Sequence, residues 1–193
     1  MHTPGHVLLN LAMLGSVLGH ESAVIAGAIL PDLPIVALYL RERARGTPEE
    51  IIWSVCYQRK HWLAIIHGAH SVPLAMLGVG VCWLAHLPSL LAFFLSVLGH
   101  AFCDLPLHVH DAHRHFFPLS KYRFISPWSY WDVRYHGRSV ALIEALLVFL
   151  CSLYIYWALA PRWHDMPRSL VAALLAACNL WYAQNYYRNF LRA

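Results

Sequence analysis

Four long, largely apolar runs constrain this chain more than any other feature: residues 62–87, 88–107, 140–160 and 169–187. Each approaches or exceeds the roughly 20 residues that a helix needs to cross a bilayer. Two shorter runs precede them, 7–18 and 23–40, with Gly19, His20 and Glu21 as the break between. Only 12% of residues are charged and 59% are hydrophobic, whereas a soluble domain carries about a quarter charged. In lipid, backbone polar groups must be satisfied internally, which favours helices for runs of this length. The expectation is an all-α, polytopic membrane helical bundle with about 5–6 membrane segments, forming one domain over the whole chain. No repeat, low-complexity tract or linker divides it.

The start, MHTPGH, has no Lys or Arg, and no small-residue cleavage site follows a short apolar core, so no cleavable signal peptide is expected. Cys56, Cys82, Cys103, Cys151 and Cys178 form no CxxC pair and read mostly as packing residues. No basic run with interleaved aromatics points to nucleic acid. The basic residues instead cluster in two loops: Arg41, Arg43, Arg45, Arg59 and Lys60 in 41–60, and Arg114, Lys121, Arg123, Arg134 and Arg138 in 108–138. Two runs separate these loops, so they share a side, and the positive-inside rule makes that side cytoplasmic. The reading is a multi-pass protein of a bacterial-type inner membrane.

Residues 99–115, GHAFCDLPLHVHDAHRH, hold His100, His108, His110, His113 and His115 beside Asp104 and Asp111. Neutral imidazole nitrogen and anionic carboxylate oxygen are good donors to Zn²⁺ and similar ions. His100 and Asp104 are four apart and share a helical face. Asp32 lies in an otherwise apolar run, where an uncompensated carboxylate costs about 2.5–3.5 kcal/mol. Pro31 and Pro34 break its helix and free nearby carbonyls, which suits a ligand position. His67 and His70 are three apart, with Gly68 and Ala69 leaving space between them. His6 stands at the start of the first run. These groups fall at similar depth on one side, which argues for a single site. The metal candidates are therefore His6, Asp32, His67, His70, His100, Asp104 and His110. His110, six residues after Asp104, is the preferred loop histidine. His61, His86 and His164 read as interfacial residues, and Trp128, Trp131, Tyr122 and Tyr130 as interfacial anchors.

The series Gly5 with His6, Leu30-Pro31-Asp32, His70 with Ser71, and His100-x-x-x-Asp104 resembles the YdjM-like membrane-bound metal-dependent hydrolases, also described as LexA-binding, inner-membrane-associated hydrolases. Phe117-Pro118-Leu119 resembles the proline-containing segment that follows HxxxD in that family. The resemblance covers residues 1 to about 120. It departs before His70, where Ile65 and Ile66 stand in place of a His and an Arg, so both His67 and His70 are retained as candidates. A more distant similarity is to the all-helical zinc-dependent phospholipases C, whose aspartate, histidine, HxxxD and later histidine match Asp32, His70, His100, Asp104 and His110 in order. Their HxxxE pair is missing: Val140 stands four after His136, and the nearest acid is Glu144. Their metal-binding free N-terminus, generated by processing, is also expected to have no counterpart.

The resemblance implies a hydrolase, and the residues imply a site for one or two divalent ions, zinc first. Together they lead to a membrane-bound metal-dependent hydrolase of a phosphoester, phospholipid or lipid-linked phosphate, at the cytoplasmic face. Asp32 and Asp104 are its candidate catalytic residues, and Arg114, Arg123 and Arg134 are candidates to hold the substrate phosphate. Membrane lipids are the expected partners. The alternative is a non-catalytic metal- or haem-binding membrane protein. Haem ligation favours facing histidines without carboxylates, and Asp32 and Asp104 count against it.

Overall fold

The computed structural model describes residues 1–192, and among them every regular element is helical. Helix α1 (Thr3–Leu18) begins with Pro4 in its first turn, where a missing N–H costs nothing. It ends at Gly19, whose φ of 64° closes the helix in a left-handed cap. Helix α2 (Glu21–Ala44) tightens at Leu30–Asp32, where Pro31 and Pro34 interrupt the regular hydrogen bonding. A short helical piece follows, Glu49–Ile51 running into Ile52–Cys56.

The run at 62–87 is not one helix. It divides into α3 (Lys60–Ala69) and α4 (Val72–Leu84), bent by 45°. Ser71 causes the break: its hydroxyl caps α4 by accepting from Leu74 N–H at 3.2 Å, and Pro73 occupies the first turn. The Ser71 hydroxyl also donates to the Phe117 carbonyl, while Val72 N–H donates to His115 O at 2.8 Å. The loop that carries His115 and Phe117 is thereby fastened onto the break.

Helix α5 (Pro88–Leu107) lies against α2 and α4; α1 packs on α2 and α6 (Gly137–Arg162), and α7 (Arg168–Tyr186) packs on α6. Ala92, Ser96, His100 and Asp104, each four apart, form the buried stripe of α5. The α2–α5 contact is close because Gly27 has no side chain; a Cβ there would meet the Phe93 carbonyl at 2.2 Å. That approach lets Ser96 Oγ donate to Val24 O at 2.6 Å and His100 Nδ1 to Ala28 O at 2.7 Å, one turn further on. On α1, Asn10 donates to Ser96 O at 2.8 Å, filling the space that a side chain on Gly99 would take. The apolar core of this end comprises Leu8, Leu11, Val148, Ile155, Leu159 and Tyr182.

Three helices, α2, α5 and α6, are long and apolar enough to cross a membrane, with the bent α3–α4 pair a fourth if it counts as one span. This is fewer than the expected five to six segments. Helix α1 is short, and α7 carries Arg168, Asn179, Gln184 and Asn185, which dilute its apolar character. The outward face of α6 is apolar, with Leu142, Ile143, Leu146 and Leu150 exposed, as a lipid-facing surface requires.

Candidate metal centre

The polar ends of these helices converge. Asp32 comes from the proline-bounded turn of α2, His70 from the α3–α4 break, and His100 and Asp104 from the C-terminal end of α5. One ligand atom from each lies within 4.8 Å of the others. His100 Nε2 stands 3.2 Å from Asp104 Oδ2 and 3.6 Å from Asp32 Oδ1; His70 Nε2 stands 3.7 and 3.9 Å from the same oxygens. Ligands at about 2.0–2.2 Å from a tetrahedral zinc sit about 3.4 Å apart, and these four imidazole–carboxylate distances bracket that value.

The tautomers point the same way. His70 Nδ1–H donates to Ile66 O at 2.9 Å, and His100 Nδ1–H donates to Ala28 O. Each ring is thus fixed with its Nε2 lone pair facing the carboxylates. Both Nε2 atoms are buried without a hydrogen-bond partner. Buried orphans of this kind are costly, and a cation at the centre would satisfy both at once.

Asp104 has a second face. Its Oδ1 lies 3.3 Å from His108 Nε2, 2.9 Å from His6 Nε2 and 2.9 Å from the Met1 amine. Asp104, His108 and His113 form a second, fully buried group with metal-ligand spacing. His6 stacks on His100 with centroids 3.6 Å apart, and His113 stacks on His70 at 3.9 Å. His108 is oriented by a carboxylate: its Nδ1 meets Asp111 Oδ2 at 2.9 Å, and Trp131 Nε1–H donates to the same oxygen at 3.2 Å. Burial opposes the charged imidazolium of His108, but Asp104 and Asp111 outweigh it and push its pKa up to about 9. Burial, with His70 and His108 nearby, holds His113 well below the usual imidazole range.

The remaining candidates lie outside these groups. His110 is exposed, with its Nε2 on Tyr135 Oη at 3.2 Å. His67 borders the cavity below, facing the Arg114 backbone N–H at 3.4 Å through Nδ1. Arg134 is exposed and forked onto Asp132, with Nη2 to Oδ2 at 2.7 Å. Arg114 presents its backbone, not its guanidinium, to His67. Arg123 alone of the three arginines lines the cavity. The sequence leaves open which of the loop histidines ligate, at most two of His108, His110, His113 and His115 with His110 preferred; the structure groups His108 and His113 with Asp104, and Asp111 is a site residue the sequence did not single out. Sequence reasoning also read Tyr130 and Trp131 as anchors, whereas both are cavity walls. The H-x-x-D spacing of His108 and Asp111 was the available signal for that pair.

The cavity measures about 640 Å³. Its lining combines the polar groups Asp32, Asp104, His108, Asp111 and Arg123 with the apolar side chains of Ile35, Val36, Trp53 and Leu63. Thr3 Oγ1 donates to Asp32 Oδ2 at 2.5 Å, so one Asp32 oxygen is held while the other faces the imidazoles.

No protein-family model, curated protein or solved structure matches the chain.

Proposed function

We propose that the chain is a membrane-bound, metal-dependent hydrolase of a phosphoester borne by a lipid, and that it belongs with the YdjM-like hydrolases its motifs resemble. The observation that carries this reading is the pair of unpartnered, buried Nε2 atoms of His70 and His100 facing Asp32 and Asp104. Those four residues would hold a divalent ion, zinc first, and Asp104 would share its second oxygen with His108 and His113 around another. Bound there, such an ion supplies Lewis acidity, easing proton loss from water near neutral pH and polarising a phosphoryl oxygen.

The chain's own groups do the rest. Asp32, the most exposed member of the ligand group at 16%, lines the cavity beside Asp104 and takes the proton of the attacking water. Arg123 sits where its planar fork can hold phosphate oxygens. The apolar wall of Ile35, Val36, Trp53 and Leu63 suits the hydrocarbon of a lipid substrate. The reading includes a bacterial-type inner membrane with the site toward the cytoplasm, supported by the basic loops 41–60 and 108–138 beside it.

The test is elemental analysis of purified protein, followed by a panel of phospholipids and soluble phosphodiesters. Zinc in the wild type, hydrolysis of at least one lipid substrate and loss of that activity in a folded Asp32→Asn variant are the expected results. Activity retained in Asp32→Asn removes the assigned role. Bound metal with no hydrolysis, or a Soret band, favours the non-catalytic alternative.

A further inference from the structure

We propose that Glu144, on α6, is a positioning residue that clamps the first turn of the chain so that Thr3 and His6 reach the two aspartates. Helices α6 and α7 supply no member of either ligand group, yet α6 buries a carboxylate behind its lipid-facing surface, with Glu144 only 2% exposed. A buried carboxylate is costly unless several donors meet it. Here they all meet one oxygen, Oε1. It accepts from His2 N–H at 2.9 Å, from His2 Nδ1–H at 3.2 Å and from Tyr182 O–H at 2.7 Å. His2 Nε2, left as an acceptor, takes the Asn185 amide N–H at 3.3 Å. Tyr130, Trp181 and Tyr182 box the His2 ring edge-on, with centroids at 5.0, 5.2 and 5.8 Å.

What the clamp holds is the site's own edge. Thr3, next in the chain, donates to Asp32, and His6, one turn on, faces Asp104 Oδ1. Between them Gly5 presses against Tyr182, where a Cβ would lie 2.6 Å from the hydroxyl. Glu144 lies outside the main cavity, so its influence on the centre runs through residues 2–6. The rear pair of helices thus acts on the centre through a strap rather than by ligation.

The consequence for metal binding rests on the proposed function above; the clamp itself does not. Two measurements on the full chain in detergent or nanodiscs therefore separate them. In metal-free protein, Glu144→Ala raises hydrogen exchange at residues 2–6 by about tenfold or more while α5 stays protected. Glu144→Gln, which keeps an acceptor oxygen, preserves most of the protection, and Tyr182→Phe loses less of it than Glu144→Ala does. Unchanged exchange in Glu144→Ala overturns the clamp.

In zinc titrations, Glu144→Ala weakens affinity by about 10–100-fold. In a Thr3→Val/His6→Ala background the same substitution adds nothing, because its route is already cut. A loosened strap with unchanged zinc affinity, or a full additive loss in that background, overturns the positioning role. Wild-type protein that takes up no zinc overturns the metal reading and this consequence together, while the exchange result still decides the clamp.

Discussion

The two faces of Asp104 are built differently. On the Oδ2 side, the partners ride on helices or helix breaks, and both imidazoles are held by helix backbone carbonyls, His70 by Ile66 one turn away and His100 by Ala28 on α2. On the Oδ1 side, His108 and His113 come from an irregular loop, and a side chain, Asp111, orients His108. A carbonyl within a helix is fixed by the helix itself, whereas a carboxylate on a loop is only as fixed as the loop. The Oδ2 face is therefore pre-formed, and the Oδ1 face adjusts and responds to protons. Substitutions that act on one face and spare the other sharpen this contrast; equal effects on both would break it.

The largest effect is expected where the faces meet. Asp104→Ala removes the shared carboxylate, the group that the Nε2 atoms of His6 and His108 face, and leaves His100 Nε2 with Asp32 alone. Purified Asp104→Ala protein should carry essentially no zinc by elemental analysis, and zinc retained at wild-type level would deny that Asp104 joins the faces. Next comes the asymmetry itself. His100→Ala should abolish tight zinc uptake, while His108→Ala should lower zinc affinity by about 10–100-fold and leave the Oδ2 group loaded. Calorimetric titration of both variants reads the difference, and equal losses would mean that the faces do not differ.

This contrast also marks how far the sequence was legible. Asp32 stands out because two prolines bracket it in an apolar run, and His100 with Asp104 because a four-residue spacing on a helix has one geometric meaning. Helical periodicity carries side-chain direction, so the Oδ2 face could be read. The loop has no such period. Among His108, His110, His113 and His115, spacing alone singles out His110, which the structure places on the cavity wall against Tyr135 but in neither ligand group. The break at His70 and Ser71 was masked by the apolarity of its flanks, although Ser71 followed by Pro73 is a helix-start signature. By length and composition three helices, or four with the bent pair, qualify as spans; the apolar runs at 7–18 and 169–187 resemble spans in composition but lack the length or the unbroken hydropathy. Nothing in the sequence announces that Glu144 meets His2, since that contact exists only once α1, α6 and α7 have packed.

A smaller effect concerns pH. Burial opposes the His108 imidazolium, but Asp104 and Asp111 raise its pKa from 6.5 to about 9 in the folded protein. A raised folded value means that the protonated ring stabilises the fold, fully below pH 6.5 and progressively less as pH climbs through 9. Metal-free protein should therefore melt at lower temperature at pH 9 than at pH 6.5, and His108→Gln should remove most of that difference. Below pH 6.5 the sign reverses, because burial keeps His113 neutral in the fold and protonation of the unfolded chain then favours unfolding. A melting temperature that does not change between pH 6.5 and 9 would show that His108 is not held between its two carboxylates.

The smallest effect isolates the loop carboxylate. Asp111→Asn keeps the size of the side chain and one oxygen, which can accept from Val109 N–H or from Trp131 Nε1–H but not from both, since these now meet Oδ1 and Oδ2 respectively. It loses the charge that supports the His108 imidazolium, so the high-pH melting shift should shrink although His108 remains. Zinc affinity should fall by about tenfold, at the low end of what an outer-shell partner is worth, and only in the component lost in His108→Ala. Because His70 and His100 are oriented by Ile66 and Ala28 carbonyls, the Asp111 charge does not set the direction of either ring on the Oδ2 face. Titration of the Asp111→Asn and His108→Ala/Asp111→Asn variants reads this directly: the second substitution should cost nothing once His108 is gone. If Asp111→Asn weakens zinc binding further in the absence of His108, the carboxylate reaches the centre by another path, and the division of Asp104 into a rigid and an adjustable face does not hold.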